Sequence, residues 1–363
     1  MIMFYHFYAR WTLPLAPVNY YPYGAEMQPY FRHGFFGVEF FFIISGFVIF
    51  YTLEKSTSLG DFWVKRFSRL LPAMLVCSVL TYVLIKVFDV QNHLPYLHSQ
   101  TALDFFPSLT FTHPIFWVKI FHNDAIRNIN GSYWSLWVEV TFYLLSSIVF
   151  FLNRGKFIRN WFWLLVPLTI LKIISIQSHS LAEAVPGLAP VISALWRITV
   201  YFNLCNYAAY FSLGILFYSL FSNKRVPLAA IILCALSTIV EMYYLEDNSL
   251  RVMVLAMIAV FLLFIYKPKF LAFLNSGFIT RIGVISYSLY LIHENIGVLF
   301  INKFAAVVSS PVLVKIFPVV LMLLMIIFAE ILYRIYEKPV INFLRKKLLS
   351  RATKKKSDAL QPD

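Results

Sequence analysis

The chain has 363 residues, of which 60% are hydrophobic, 18% aromatic and only 13% charged, a composition that excludes an ordinary soluble domain and indicates a polytopic membrane protein. Its formal net charge of +14 raises nucleic acid as a partner, but the placement of that charge along the chain argues against it. With only twelve glycines and apolar runs of about twenty residues, an all-α bundle of membrane helices is favoured over a barrel of alternating strands.

The opening Met1-Ile-Met-Phe-Tyr-His6 has no basic n-region, and Arg10 arrives too soon for a full h-region, so no cleavable signal peptide is predicted. Met1 to Leu15 is aromatic and apolar but too short to span a bilayer. It is expected to be the outer end of a first helix that begins before Met1, which would give ten spans in the complete protein. Apolar runs then predict spans at 35–53, 71–88, 133–152, 161–177, 198–221, 228–244, 250–266, 282–301 and 312–334.

Basic residues alternate along the connections. Lys55, Lys65, Arg66 and Arg69 follow the first full span, Arg154, Lys156 and Arg159 the third, Lys224 and Arg225 the fifth, and Lys267, Lys269 and Arg281 the seventh. The tail from Lys338 to Lys356 is also rich in lysine and arginine. The intervening connections hold few: Lys119, Arg127, Arg197, Arg251 and Lys303. The positive-inside rule puts the basic loops and the C-terminus in the cytoplasm, which accounts for most of the net charge without nucleic acid. Residues 1–339 read as one membrane domain and 340–363 as a basic cytoplasmic tail able to touch anionic lipid. Cys77, Cys205 and Cys234 are scattered through apolar spans and suggest neither a disulfide framework nor a metal site.

Polar residues inside these spans carry the functional signal. Glu39 falls within the 35–53 span, where an acid costs about 2.5–3.5 kcal/mol, so it should face protein or water. Ser45 and Gly46 lie deeper in the same span. Beyond it come Arg66 and Arg69, three residues apart and on one face if helical; they suit a planar grip on phosphate and equally serve as positive-inside residues. Ser132, Ser135, Glu139 and Tyr143 form one stripe at helical spacing; Ser286, Tyr290, His293 and Gly297 form another. Interhelical hydrogen bonding is the ordinary reading of such stripes, and function the alternative. Glu337 before Pro339 reads as a helix-end feature, and Glu330 with Arg334 as a local i,i+4 pair.

Together, a cytoplasmic arginine pair and an outer histidine–carboxylate group fit a polyanionic donor inside and a hydroxyl acceptor outside. Acyl transfer to a hydroxyl needs a base, for which histidine with its ordinary pKa of ~6.5 is suited, and a carboxylate to orient the ring. That chemistry leaves the donor open. A proton relay through Glu39, Glu139 and His293 in a secondary transporter is the competing reading, although the paired halves common in transporters are not visible.

At these motifs the sequence resembles acyltransferase family 3, the integral-membrane O-acyltransferases of bacterial surface polysaccharides and related glycans. The resemblance rests on Gly34-Phe-Phe-Gly37-Val-Glu-Phe-Phe-Phe-Ile-Ile-Ser45-Gly46-Phe, Arg66-Phe-Ser-Arg69-Leu-Leu-Pro72, Trp134-Ser-Leu-Trp-Val-Glu139-Val-Thr-Phe-Tyr143, Ser286-Tyr-Ser-Leu-Tyr290-Leu-Ile-His293 and Tyr336-Glu337-Lys338-Pro339. It implies a ten-helix bundle in the bacterial inner membrane that moves an acyl group, expected to be acetyl, from cytoplasmic acyl-CoA to a hydroxyl of a surface glycan or lipid-linked saccharide. Acyl-CoA would be a co-substrate, with no bound cofactor. By that resemblance His6 is the expected base, Glu139, Glu39, Ser45 and His293 line or orient the site, and Arg66 and Arg69 hold donor phosphates. The family's early arginine, about eleven residues before that histidine, would precede Met1. Glu39 stands where aspartate is frequent.

The charge pattern yields a test of topology. Cysteines introduced at Ser58 and Ser99 should label from opposite sides of the membrane; labelling of both from outside would overturn the orientation.

Overall fold

The computed structural model describes residues 1–12, 22–23, 26–89 and 100–358, with side chains to residue 348. Ser99 and part of the Met1 to Leu15 segment lie outside the described residues. The described chain is helical, with no strand. Seven of its helices are long and apolar enough to cross a bilayer: Gln28–Glu54, Leu59–Phe88, Gly131–Leu152, Arg154–Ile176, Asn248–Tyr266, Gly277–Val307 and Pro311–Leu348. Ala208–Phe221 and Leu228–Tyr244 are apolar but shorter. This is the expected all-α, multi-pass membrane bundle.

Three boundaries differ from the hydropathy reading, each for a local reason. The span expected at 71–88 is the inner part of a helix that begins at Leu59, so Arg66 and Arg69 are helical and Pro72 is interior. Asp61 lies in its first turn, where the helix dipole favours an acid, and Lys65 pairs with it at 2.8 Å across one turn. Charge hid this helical start from an apolarity count. The span expected at 198–221 is broken. Ala189–Tyr201 and Ala208–Phe221 are separated by a 3₁₀ turn at Asn203–Asn206, where the Asn206 amide donates to Asn203 Oδ1 at 2.6 Å. The last span does not stop at Pro339. It passes through a π turn, Tyr333–Glu337, into a further helix, Lys338–Asp358, whose first turn tolerates proline because the missing N–H is not needed there. Glu337 is therefore more than a helix end: it is buried and accepts a hydrogen bond from Ser288. Glu330 and Arg334 do pair, and Arg281 reaches the same carboxylate at 2.5 Å.

The chain forms two compact units. The first comprises Met1–Phe35, Gly60–Trp134 and Asn275–Asp363; the second comprises Phe36–Leu59 and Ser135–Leu274. In the first, the short helix Ile2–Tyr8 packs against Gly277–Val307, which packs in turn on Pro311–Leu332. Gly297 permits that approach: a β-carbon there would stand 2.2 Å from the Phe7 ring. Tyr8 anchors the short helix by donating to the Lys315 carbonyl at 2.8 Å.

In the second unit, Gly37–Glu54 and Ala208–Phe221 cross backbone to backbone. A β-carbon on Gly46 would stand 2.1 Å from the Phe211 carbonyl oxygen, and one on Gly214 would stand 2.0 Å from that of Ile43. Small residues at such a crossing let two membrane helices gain van der Waals contact that larger side chains would prevent. Nearby, Phe157–Ile176 packs on Leu228–Tyr244, joined by the buried pair Lys172–Glu241 and by a 2.8 Å hydrogen bond between Thr169 and Ser237. Lys172 also donates to the Asn206 carbonyl at 3.2 Å, so the broken turn is tied to the same ion pair.

The crossing predicts an asymmetric response to one methyl group. Gly46→Ala forces the two backbones apart and should cost about 1–3 kcal/mol. Gly283→Ala, with nothing within 4 Å of the added carbon, should be neutral or slightly stabilising. Thermal unfolding of the detergent-solubilised chain checks both, and an unchanged melting temperature for Gly46→Ala would contradict the crossing.

Candidate functional site

In the first unit, His6 sits on the inner face of its short helix and is 5% exposed. Its Nδ1 lies 3.2 Å from Oε1 of Glu294, a residue that is 1% exposed on Gly277–Val307. Arg10, one turn beyond His6, brings its Nε to 3.0 Å from the same oxygen. A carboxylate so deeply buried needs compensating charge; Arg10 supplies it, and the His6 ring nitrogen faces the same oxygen.

His293 completes the group. Its ring meets that of His6 edge to face, with centroids 4.9 Å apart, and its Nδ1 is 2.7 Å from the Tyr290 carbonyl. With Nδ1 donating to that carbonyl, Nε2 keeps its lone pair; it is buried and has no hydrogen-bond partner among the described residues. Two imidazoles and one carboxylate thus share a single buried locus.

The segment just before Trp134 holds this part of Gly277–Val307 in register. Asn130 donates from its amide to the Leu291 carbonyl at 3.0 Å, and the Tyr133 hydroxyl to the same carbonyl at 3.1 Å. Tyr290 donates to the Ser132 carbonyl, and Asn295 to the Ile129 carbonyl at 2.9 Å. Gln100 reaches that last carbonyl as well, at 2.5 Å. These bonds fix the helix on both sides of Glu294, so the carboxylate has little rotational freedom about the helix axis. Of the predicted stripe, Tyr290, His293 and Gly297 all contribute to this packing, whereas Ser286 bonds back to Gly283 of its own helix.

Arg66 and Arg69 lie in the same unit near the start of Leu59–Phe88. Arg66 is buried, its guanidinium carbon 5.9 Å from the Phe62 ring centroid, and Arg69 is exposed. The pair is therefore one anchored and one accessible guanidinium.

In the second unit Glu139 is half-buried and accepts hydrogen bonds from Ser45, at 2.8 Å, and from Tyr143 one turn along its own helix. Glu39 is buried, and its Oε2 has no hydrogen-bond partner among the described residues. Ser45 and Glu139, predicted from separate spans, are thus direct partners. The sequence reading did not single out Glu294, Arg10, Asn130, Asn295, Lys172 or Glu241. Glu294 carried a usable signal, an acid immediately after His293 inside an apolar helix. Among the described residues no cluster of histidine, cysteine and carboxylate groups could hold a metal ion, and the three cysteines are buried and unpaired in disulfides.

Comparison with known proteins follows this geometry. O-acetyltransferase OatA of Staphylococcus aureus is 28% identical over 343 aligned positions, covering 85% of this chain and 52% of the relative. Peptidoglycan O-acetyltransferase OatA of Listeria monocytogenes is 31% identical over 182 positions, covering 47% of this chain and 25% of the relative. The chain thus spans about half the length of the first of these relatives, or less of the second. No solved structure matches it. The family described as "Acyltransferase domain" matches residues 1–334, and on that match the chain belongs to acyltransferase family 3.

Proposed function

We propose that this chain transfers an acyl group, acetyl in the first instance, from acyl-CoA to a hydroxyl of a cell-envelope carbohydrate, from a bacterial inner membrane with its basic loops and C-terminus in the cytoplasm. The observation that carries the reading is the buried contact between His6 Nδ1 and Glu294 at 3.2 Å. The names of the relatives, both O-acetyltransferases, support the acetyl group, and that of the Listeria protein supports peptidoglycan as the glycan class.

The chemistry follows from the tautomer that the carboxylate selects. Glu294 favours a proton on Nδ1 of His6, which leaves the Nε2 lone pair to accept the proton of an acceptor hydroxyl. As that proton leaves, the hydroxyl oxygen bonds to the thioester carbonyl carbon. Collapse of the tetrahedral intermediate breaks the carbon–sulfur bond, and the imidazolium returns the proton to the departing thiolate. Charge on the ring is stabilised by Glu294, and Arg10 keeps that carboxylate ionised while the ring is neutral. His293 Nε2 is a second acceptor, able to take a hydrogen bond from a neighbouring hydroxyl of the substrate beside the one that reacts. In the second unit, Ser45, Glu39 and Glu139 are proposed as polar groups for acceptor hydroxyls. Arg66 and Arg69 would hold donor phosphates through paired, charge-assisted hydrogen bonds.

Base-labile acyl esters on surface glycans, compared with and without the gene, test the class of activity. Loss of esters supports transfer; unchanged esters with altered solute uptake would replace it with transport. Within the transfer reading, His6→Ala should lower ester formation about 10²–10⁴-fold at equal membrane abundance. The double change Arg66→Lys, Arg69→Lys keeps the topological charge and should weaken acyl-CoA binding. Near-normal turnover with His6→Ala would remove His6 from the chemistry.

A further inference from the structure

Two helices of the first unit meet over one half-buried carboxylate. Glu330 lies near the end of Pro311–Leu332, and Arg334 follows it by about one turn, inside the π turn. Arg281 comes from the second turn of Gly277–Val307. Its Nε is 2.5 Å from Glu330 Oε2, while Nε of Arg334 takes Oε1. The Tyr333 ring supports Arg281 from one side, with the guanidinium carbon 4.9 Å from the ring centroid. Each arginine thus spends its Nε on the acid. The terminal nitrogens of both make no hydrogen bond among the described residues.

Two guanidiniums on one carboxylate leave one positive charge in excess, and among the described residues no second acid acts on Arg281. Arg334 is exposed and Arg281 half-buried, so both can be reached from outside the protein. Their terminal nitrogens can hold phosphate oxygens in paired, charge-assisted bonds. The surface leading away from them is apolar. Ile331 and Ile327 stand on the face of Arg334, one and two turns deeper in the span, and both are exposed. Val284, one turn deeper than Arg281, is exposed as well. Cationic groups at the end of a span, with an uncovered apolar strip leading inward, match an anionic headgroup together with its acyl chain. A free phosphate would use the guanidiniums and leave the strip bare.

We propose that Arg281 and Arg334, set in place by Glu330, form a binding site for the phosphate of one anionic phospholipid in the leaflet that the basic connections face. Its acyl chain lies along Ile331 and Ile327. The lipid bridges Pro311–Leu332 to Gly277–Val307, the helix that carries His293 and Glu294.

Lipid binding is measured by native mass spectrometry on the full chain in neutral detergent, with phosphatidylglycerol or phosphatidylcholine of matched acyl chains. Phosphatidylglycerol should bind the parent chain more tightly than phosphatidylcholine. Arg281→Gln and Arg334→Gln should each weaken phosphatidylglycerol binding about fivefold, the effect of one cation near a lipid phosphate. Lys303→Gln, an equal change of charge at the far end of Gly277–Val307, should leave it unchanged, since screening removes so distant a charge. Glu330→Gln frees both guanidiniums from their acid and should tighten binding, a gain that a purely structural ion pair does not predict. Should the glutamine variants fail to accumulate, Arg334→Lys carries the test and must weaken binding through loss of the planar fork. Equal affinity of the parent chain for the two lipids, or unchanged phosphatidylglycerol affinity in the arginine variants, would overturn the site. An equal loss in Lys303→Gln would overturn it in favour of attraction by overall charge. Displacement of phosphatidylglycerol by an equal concentration of inorganic phosphate would overturn the lipid in favour of a free anion.

Discussion

A carboxylate buried among apolar helices cannot be left uncompensated, and the organisation of the first unit follows from meeting that requirement at Glu294. Water is not available to solvate it at 1% exposure, so charge must come from protein. Arg10 provides it from the start of the chain, with the His6 ring against the same oxygen, which obliges that short segment to lie against Gly277–Val307. Gly297 makes the close approach possible, and the Tyr8 hydroxyl holds the segment's far end. The electrostatic constraint and the packing constraint thus select the same placement of His6.

The polar bonds from residues 129–133 to Gly277–Val307 give that placement its rigidity. Five side chains satisfy three backbone carbonyls, at Ile129, Leu291 and Ser132, inside the membrane unit. Orphaned backbone groups are costly there, so each bond is retained for more than its net worth in water. A base used in proton transfer benefits from such a frame, because its carboxylate partner must be held at a fixed angle through the reaction.

Much of the fold was legible because hydropathy measures what a bilayer demands, and the apolar runs mark most of the helices. It failed where helicity and apolarity part company. The start of Leu59–Phe88 is helical but charged, the 198–221 run is apolar but broken by asparagines, and Pro339 opens a helix rather than closing one. The site was legible by residue type more than by partner. His6 and His293 were expected in one site and their rings do meet. The carboxylate beside His6 is Glu294, far along the chain from it, and helical spacing within one segment carries no information on such a pairing. Arg10 was read only as an interruption of an apolar stretch, although its neighbourhood to His6 at one helical turn was visible. Ser45 and Glu139 were both identified, but their hydrogen bond depends on which helices of the second unit are adjacent.

The central claim is that Glu294 serves the reaction through His6, which a double-mutant cycle on acyl-transfer rate tests directly. Rates are compared for the parent chain, His6→Ala, Glu294→Gln and the double variant at equal membrane abundance. Groups that act as one unit lose their joint effect once, so the double variant should be no slower than His6→Ala alone. Losses that multiply in the double variant would mean that Glu294 acts independently of His6, and would contradict the account.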